Sequence, residues 1–209
     1  MNRFEILAQT FLATMLCLGS AALHAEGRDG RVPTPAELLV LPPYCKDSQI
    51  IRRVNEGRPV GRDEPIAQHW FSVLGENFWD IHHYCFALNE VNRAQRAQNT
   101  TERTGWLSQS LGEFDYVLKG AKPGFILLPE ILTKKGEALI MLGRDGEGAA
   151  EFEKTIEIKP DYWAPYAHLS DYYKEKKNLA KAREILEQGL KAIPNSKGLL
   201  RRKKELEQK

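Results

Sequence analysis

Several absences narrow the chemistry of this chain before any motif is considered. No Gly-x-Ser-x-Gly elbow, glycine-rich phosphate loop or His-Glu-x-x-His helix occurs, so the commonest nucleophilic, phosphate-binding and zinc-hydrolase signatures are missing. Cysteine is scarce, at three in 209 residues, and Cys-x-x-Cys-His is absent, which speaks against covalently attached c-type haem. Charge of one sign is lacking too. The formal net charge is +2, which gives no positive field of the kind that draws nucleic acid. The mostly apolar run Ile6–Leu18 is too short for a comfortable membrane span.

That run belongs to an N-terminal stretch with the features of a secretory leader. Arg3 opens it, the apolar run follows, and Ser20-Ala21-Ala22-Leu23-His24-Ala25 supplies small residues for cleavage. Residues 1–25 are therefore expected to be a signal peptide and the protein to be exported, most naturally to a periplasm. The competing reading is an uncleaved N-terminal anchor. Cleavage would remove Cys17 and leave Cys45 and Cys85. An even pair in an oxidising compartment fits a disulfide, with two separate buried thiols as the alternative. Closing so long a loop would stabilise the fold by about 3–4 kcal/mol.

Taken in order, the mature segment 26–64 begins with a glycine- and charge-rich stretch. Thr34-Pro35-Ala36-Glu37 then reads as a capping box with proline at the first helical position. Pro42-Pro43 ends that short helix, and Asp47–Asn55 predicts another. Segment 65–128 is rich in aromatics and mainly helical, with Ile81, Tyr84, Cys85, Leu88 and Val91 at three- and four-residue spacing. A polar loop is expected over Gln98–Gly105, including the acceptor triplet Asn99-Thr100-Thr101. A helix then follows from Trp106 to Gly120, with Leu107, Leu111, Phe114, Val117 and Leu118 facing inward. Glu113 and Asp115, on either side of Phe114, read as an ordinary solvated pair.

From Pro129 to Pro194 one pattern is written twice, 34 residues apart. Gly136 aligns with Ser170, Gly148 with Ala182 and Thr155 with Gly189. Leu132 aligns with Tyr166, Leu139 with Tyr173, Phe152 with Leu186 and Ile156 with Leu190, and each copy closes on Pro160 or Pro194. A fixed period of this length marks a repeat architecture. Small residues at these positions let paired helices approach closely, large ones fill the space between pairs, and the proline stops the second helix. This set of positions resembles the tetratricopeptide repeat family over 129–162 and 163–196. Residues 78–120 resemble a degenerate extra copy, and Lys135 stands in a slot that is usually leucine.

The resemblance implies an all-α fold: a short helical-hairpin solenoid with an N-terminal helical cap. Residues 197–209 are expected to form a terminal capping helix with basic residues around Leu199, Leu200 and Leu206. It also implies a concave groove that binds a peptide or a partner protein. On this sequence the groove positions are Glu130, Thr133, Glu137, Ile140 and Met141, then Ala164, Ala167, Asp171, Lys174 and Glu175. Their acidic members suggest a basic or amide-rich ligand, and a solvated face without a ligand is the alternative.

One cluster invites a different chemistry. His82-His83-Tyr84-Cys85 lies downstream of Cys45, and His82, Cys85 and Cys45 are the candidate metal ligands. Adjacent His82 and His83 point about 100° apart on a helix, which prevents both from facing one ion easily. Thiolate ligation would also compete with a disulfide. The functional expectation is therefore a non-catalytic, cofactor-free interaction scaffold or adaptor in a bacterial envelope, secretion or surface-assembly system. Its partner would be a protein or peptide, not nucleic acid. Any membrane association would come through an uncleaved leader or an envelope complex. The alternatives are a metal- or redox-active exported protein centred on Cys45, Cys85 and His82, and a substrate-binding accessory subunit.

Overall fold

The computed structural model describes residues 30–208; the leader expected over 1–25, with Cys17, lies outside the described residues. Helices account for all the regular structure among the described residues. Three short helices come first: α1 (Pro35–Leu38), α2 (Tyr44–Asp47) and α3 (Gln49–Glu56). The capping box forms at α1, where the Thr34 side chain accepts from the Glu37 amide and the Glu37 carboxylate reaches back to the Thr34 amide. Helix α4 (Pro65–Leu74) runs into a 3₁₀ segment, Gly75–Asp80, and then α5 (Ile81–Arg96). Trp70 on α4 donates its indole N–H to Asp47 on α2 at 2.9 Å. The Cys45–Cys85 disulfide joins α2 to α5, with a Cα–Cα distance of 5.6 Å.

Helix α6 (Thr100–Gly120) packs against α5 as a hairpin. It begins six residues earlier than the sequence suggests. The Asn99 side chain accepts from the Glu102 amide at 2.8 Å, and Glu102 in turn accepts from the Gln98 amide. The acceptor triplet is thus the start of a helix, because its asparagine satisfies an otherwise orphaned amide.

The doubled pattern forms two hairpins, α7 (Leu128–Met141) with α8 (Asp145–Ile158) and α9 (Trp163–Glu175) with α10 (Leu179–Ala192). Their turns are built alike. Gly143 and Lys177 occupy equivalent places, both in the left-handed region, at φ 78° and 59°. The next amide reaches back to Leu139 in one copy and Tyr173 in the other, each at 2.9 Å, which satisfies the orphan carbonyls of the preceding helix. Close approach within a pair depends on glycine. A Cβ on Gly148 would lie 2.8 Å from the Gly136 carbonyl oxygen, and one on Gly136 would lie 2.5 Å from the Phe152 ring. In the second copy Ser170 fills the small slot and donates its hydroxyl to the Ala182 carbonyl at 3.1 Å.

Lys135, in the slot where leucine is usual, links three helices through Asp115 of α6 at 2.9 Å and Glu151 of α8 at 2.6 Å. Helix α11 (Lys197–Glu207) closes the stack by burying Leu199 and Leu206 against α9 and α10. The apolar interior falls into two clusters. One runs from the N-terminal helices through α5, α6 and one side of α7, and the other from α8 to α11. They part along the C-terminal half of α7, where Met141 packs on the first and Ile140 on the second.

Candidate functional site

A cavity of about 310 Å³ opens at that parting line, lined by Glu137, Ile140 and Met141 of α7, Phe152 of α8 and His168, Asp171, Tyr172 and Glu175 of α9. Helical spacing puts Glu137, Ile140 and Met141 on one face of α7, and His168, Asp171, Tyr172 and Glu175 on one face of α9. Phe152 forms the floor, buried at 1 % exposure, and His168 stacks on it with centroids 5.1 Å apart and planes 19° apart. His168 Nε2 is 3.0 Å from Glu137 Oε1, and Lys134 Nζ is 2.9 Å from the other Glu137 oxygen. Burial would raise the Glu137 carboxyl, but His168 and Lys134 outweigh it and hold the group below the usual carboxylate range. Asp171 is met by Arg202 of α11, Nε and a terminal nitrogen both at 2.9 Å. Glu175 makes no ion pair among the described residues. The cavity therefore offers an apolar floor under carboxylates that are largely neutralised by the chain's own cations.

Five of the ten expected groove residues come together here: Glu137, Ile140, Met141, Asp171 and Glu175. The other five lie elsewhere. Glu130 accepts a hydrogen bond of 2.7 Å from the Tyr84 hydroxyl of α5. Thr133 is buried and donates its hydroxyl to the Pro129 carbonyl. Ala164 and Ala167 are buried, and Lys174 is half-buried away from the cavity. Phe152, His168 and Tyr172 complete the lining. Phe152 was legible as a core position of the repeat, but it also lines the cavity.

The His82 region has a different character. Cys45 and Cys85 are bonded to each other, so neither sulfur is available as a thiolate ligand, and both residues are fully buried. His82 Nδ1 lies 3.0 Å from the Trp79 carbonyl oxygen, and burial, reinforced by His83, pushes its pKa down to about 4. No group of three or more histidine, cysteine, aspartate or glutamate side chains is placed to hold a metal ion among the described residues. The metal-ligand set Cys45, Cys85 and His82 is replaced by a covalent link and a buried neutral imidazole.

Next to it is a polar cluster that the sequence did not indicate. Glu113, expected to be solvated, is buried; it accepts from His83 Nδ1 at 2.5 Å and from Arg31 at 3.0 Å. His83 stacks on Tyr116, centroids 3.7 Å apart. Glu90 on α5 is fully buried, and neither carboxyl oxygen has a hydrogen-bond partner. Burial, and then the negative charge of Glu113, push its pKa up to about 8. Nearby, Arg93 pairs with Glu37 through two nitrogens at 2.7 and 2.8 Å and holds that carboxyl down to about 2. Arg93 also donates to the Gly30 carbonyl, and Arg31 reaches Glu113, so these two contacts fix the segment leading into α1 on the α5–α6 hairpin.

Comparison with protein families matches residues 165–196 to the tetratricopeptide repeat. The matched span runs from the third residue of α9 through α10 to the residues just after it. No curated protein matches the chain. The second copy of the internal repeat is thus the matched one, and the all-α, helical-hairpin solenoid expected from the doubled pattern is the architecture present. No helix among the described residues is long and apolar enough to cross a membrane.

Proposed function

We propose that this chain is a non-catalytic interaction scaffold or adaptor, exported to a bacterial periplasm and acting in an envelope, secretion or surface-assembly system. Tetratricopeptide repeats generally serve as scaffolds that bind protein partners, and this chain carries one such repeat at residues 165–196. The observation that carries the reading is the cavity between α7 and α9, because apolar side chains line a concavity between consecutive hairpins. The address rests on Arg3, the Ile6–Leu18 run and the small residues before Glu26. The α5–α6 hairpin is read as a degenerate first unit, since it stacks on α7 much as α8 stacks on α9.

The test is expression of the full chain with a C-terminal affinity tag, followed by fractionation, N-terminal sequencing and partner recovery under native conditions. The expected product is periplasmic and starts after Ala25. It retains a protein partner that Met141→Glu loses while the variant still unfolds cooperatively, at a lower temperature because Met141 also packs on the first core cluster. A cytoplasmic product that keeps its first residues defeats the address. Equal recovery by the variant defeats the site.

A further inference from the structure

The acidic groove positions give one expectation from the sequence and another from their partners. Read alone, Glu137, Asp171 and Glu175 call for a basic or amide-rich ligand. In the fold, Glu137 is held between His168 at 3.0 Å and Lys134 at 2.9 Å. Asp171 is held by Arg202, whose nitrogens are 2.9 Å away. Arg202 comes from the terminal helix α11, 31 residues further along the chain. Its side chain is only 17 % exposed and also donates to the Gly198 carbonyl, whereas Asp171 remains 41 % exposed on the cavity side. The terminal helix therefore supplies a cation that a bound peptide could otherwise bring.

Resting on the interaction role proposed above, we infer that Arg202 sets the ligand class of this cavity. By satisfying Asp171 from behind, it makes the site select a peptide with a bulky apolar side chain and disfavour one with several cations. The apolar anchor would sit between Ile140, Met141 and Tyr172, against the His168 ring that stacks on Phe152. Only Glu175, at the rim, remains for one ligand cation. Charge complementarity explains the preference. A lysine or arginine aimed at Asp171 would meet the Arg202 guanidinium, and displacing it would break an existing ion pair to form an equivalent one.

The test uses a random-peptide display library as the probe, selected on the full mature chain as wild type, Arg202→Gln, Arg202→Lys and the double variant Asp171→Asn/Arg202→Gln. Selected peptides are counted only if binding falls on Met141→Glu, which puts a charge into the cavity. Wild type and Arg202→Lys should select an aromatic or branched apolar anchor without enrichment of basic residues. Arg202→Gln should add lysine or arginine beside the anchor, and a synthetic peptide of that kind should bind it about fivefold more tightly than wild type, the factor an exposed ion pair carries. The double variant should return to the wild-type consensus. An unchanged consensus in Arg202→Gln, or basic residues persisting in the double variant, overturns the role of Arg202 and leaves the interaction role standing. Failure of all four proteins to select any Met141-dependent peptide overturns the interaction role itself.

Discussion

Replacing Gly148 with alanine places a methyl carbon 2.8 Å from the Gly136 carbonyl oxygen and 2.8 Å from Ile140 Cγ1. A side-chain tip can rotate away, but a helix carbonyl cannot, so α7 and α8 must separate or tilt. Overpacking of this kind costs about 1–3 kcal/mol. Alanine also recovers about 1 kcal/mol of helix propensity over glycine. The net expectation is a loss of up to about 2 kcal/mol, measured as a fall in the urea midpoint at constant slope. Gly112 on α6 is the control, since a Cβ there meets nothing within 4 Å. With the propensity gain unopposed, Gly112→Ala should raise stability by about 0.5–1 kcal/mol. The shortfall of Gly148→Ala relative to Gly112→Ala isolates packing from propensity. If Gly148→Ala stabilises as much as Gly112→Ala does, the close-approach account of the hairpin is wrong.

Further outcomes follow from other local features. Glu90 has a folded-state pKa raised to about 8, so the native state keeps a proton that the unfolded chain releases near pH 4.3. Stability attributable to this group therefore falls as pH rises from about 4.3 to about 8, by about 3.5 kcal/mol at pH 7. Glu90→Gln should match the wild type near pH 4 and exceed it progressively up to pH 8 in denaturation midpoints; a constant difference across that range refutes the assignment. Lys177 holds a left-handed backbone at φ 59° where its counterpart is Gly143, so Lys177→Gly should gain about 1 kcal/mol in thermal or urea unfolding. The Cys45–Cys85 link closes a separation of 40 residues. Cys45→Ala/Cys85→Ala should accordingly lose about 4 kcal/mol, and the unmodified mature chain should show no free thiol when denatured without reductant.

Much of the fold was legible because repeats write long-range packing into local spacing. The 34-residue offset that aligned Gly136 with Ser170 and Gly148 with Ala182 also fixed which helices pair. The Thr34–Glu37 capping box was equally local, with both partners three residues apart. What escaped were contacts whose partners share no spacing. Glu113 looked like a solvated neighbour of Phe114, yet its carboxylate accepts from His83 and from Arg31, the latter 82 residues away. Glu37 was legible as a cap, but not as the holder of Arg93 across 56 residues. At the cavity, the resemblance to the repeat family implied Glu137, Ile140, Met141, Asp171 and Glu175. It did not find Arg202, because α11 approaches from outside the repeat. The start of α6 was misread for the opposite reason: polar residues that resemble a loop were caps, with Asn99 and Glu102 satisfying amides at a helix entrance.

Site-specific photocrosslinking in cells tests most directly the claim that the α7–α9 cavity is where a partner sits. A photoreactive residue at Glu175 on the rim is compared with one at Gln188, exposed on α10 away from the cavity. The account predicts a discrete protein adduct from position 175 that disappears in the Met141→Glu background, and none from position 188. Equal adducts from both positions, or an adduct at 175 that survives Met141→Glu, would contradict it.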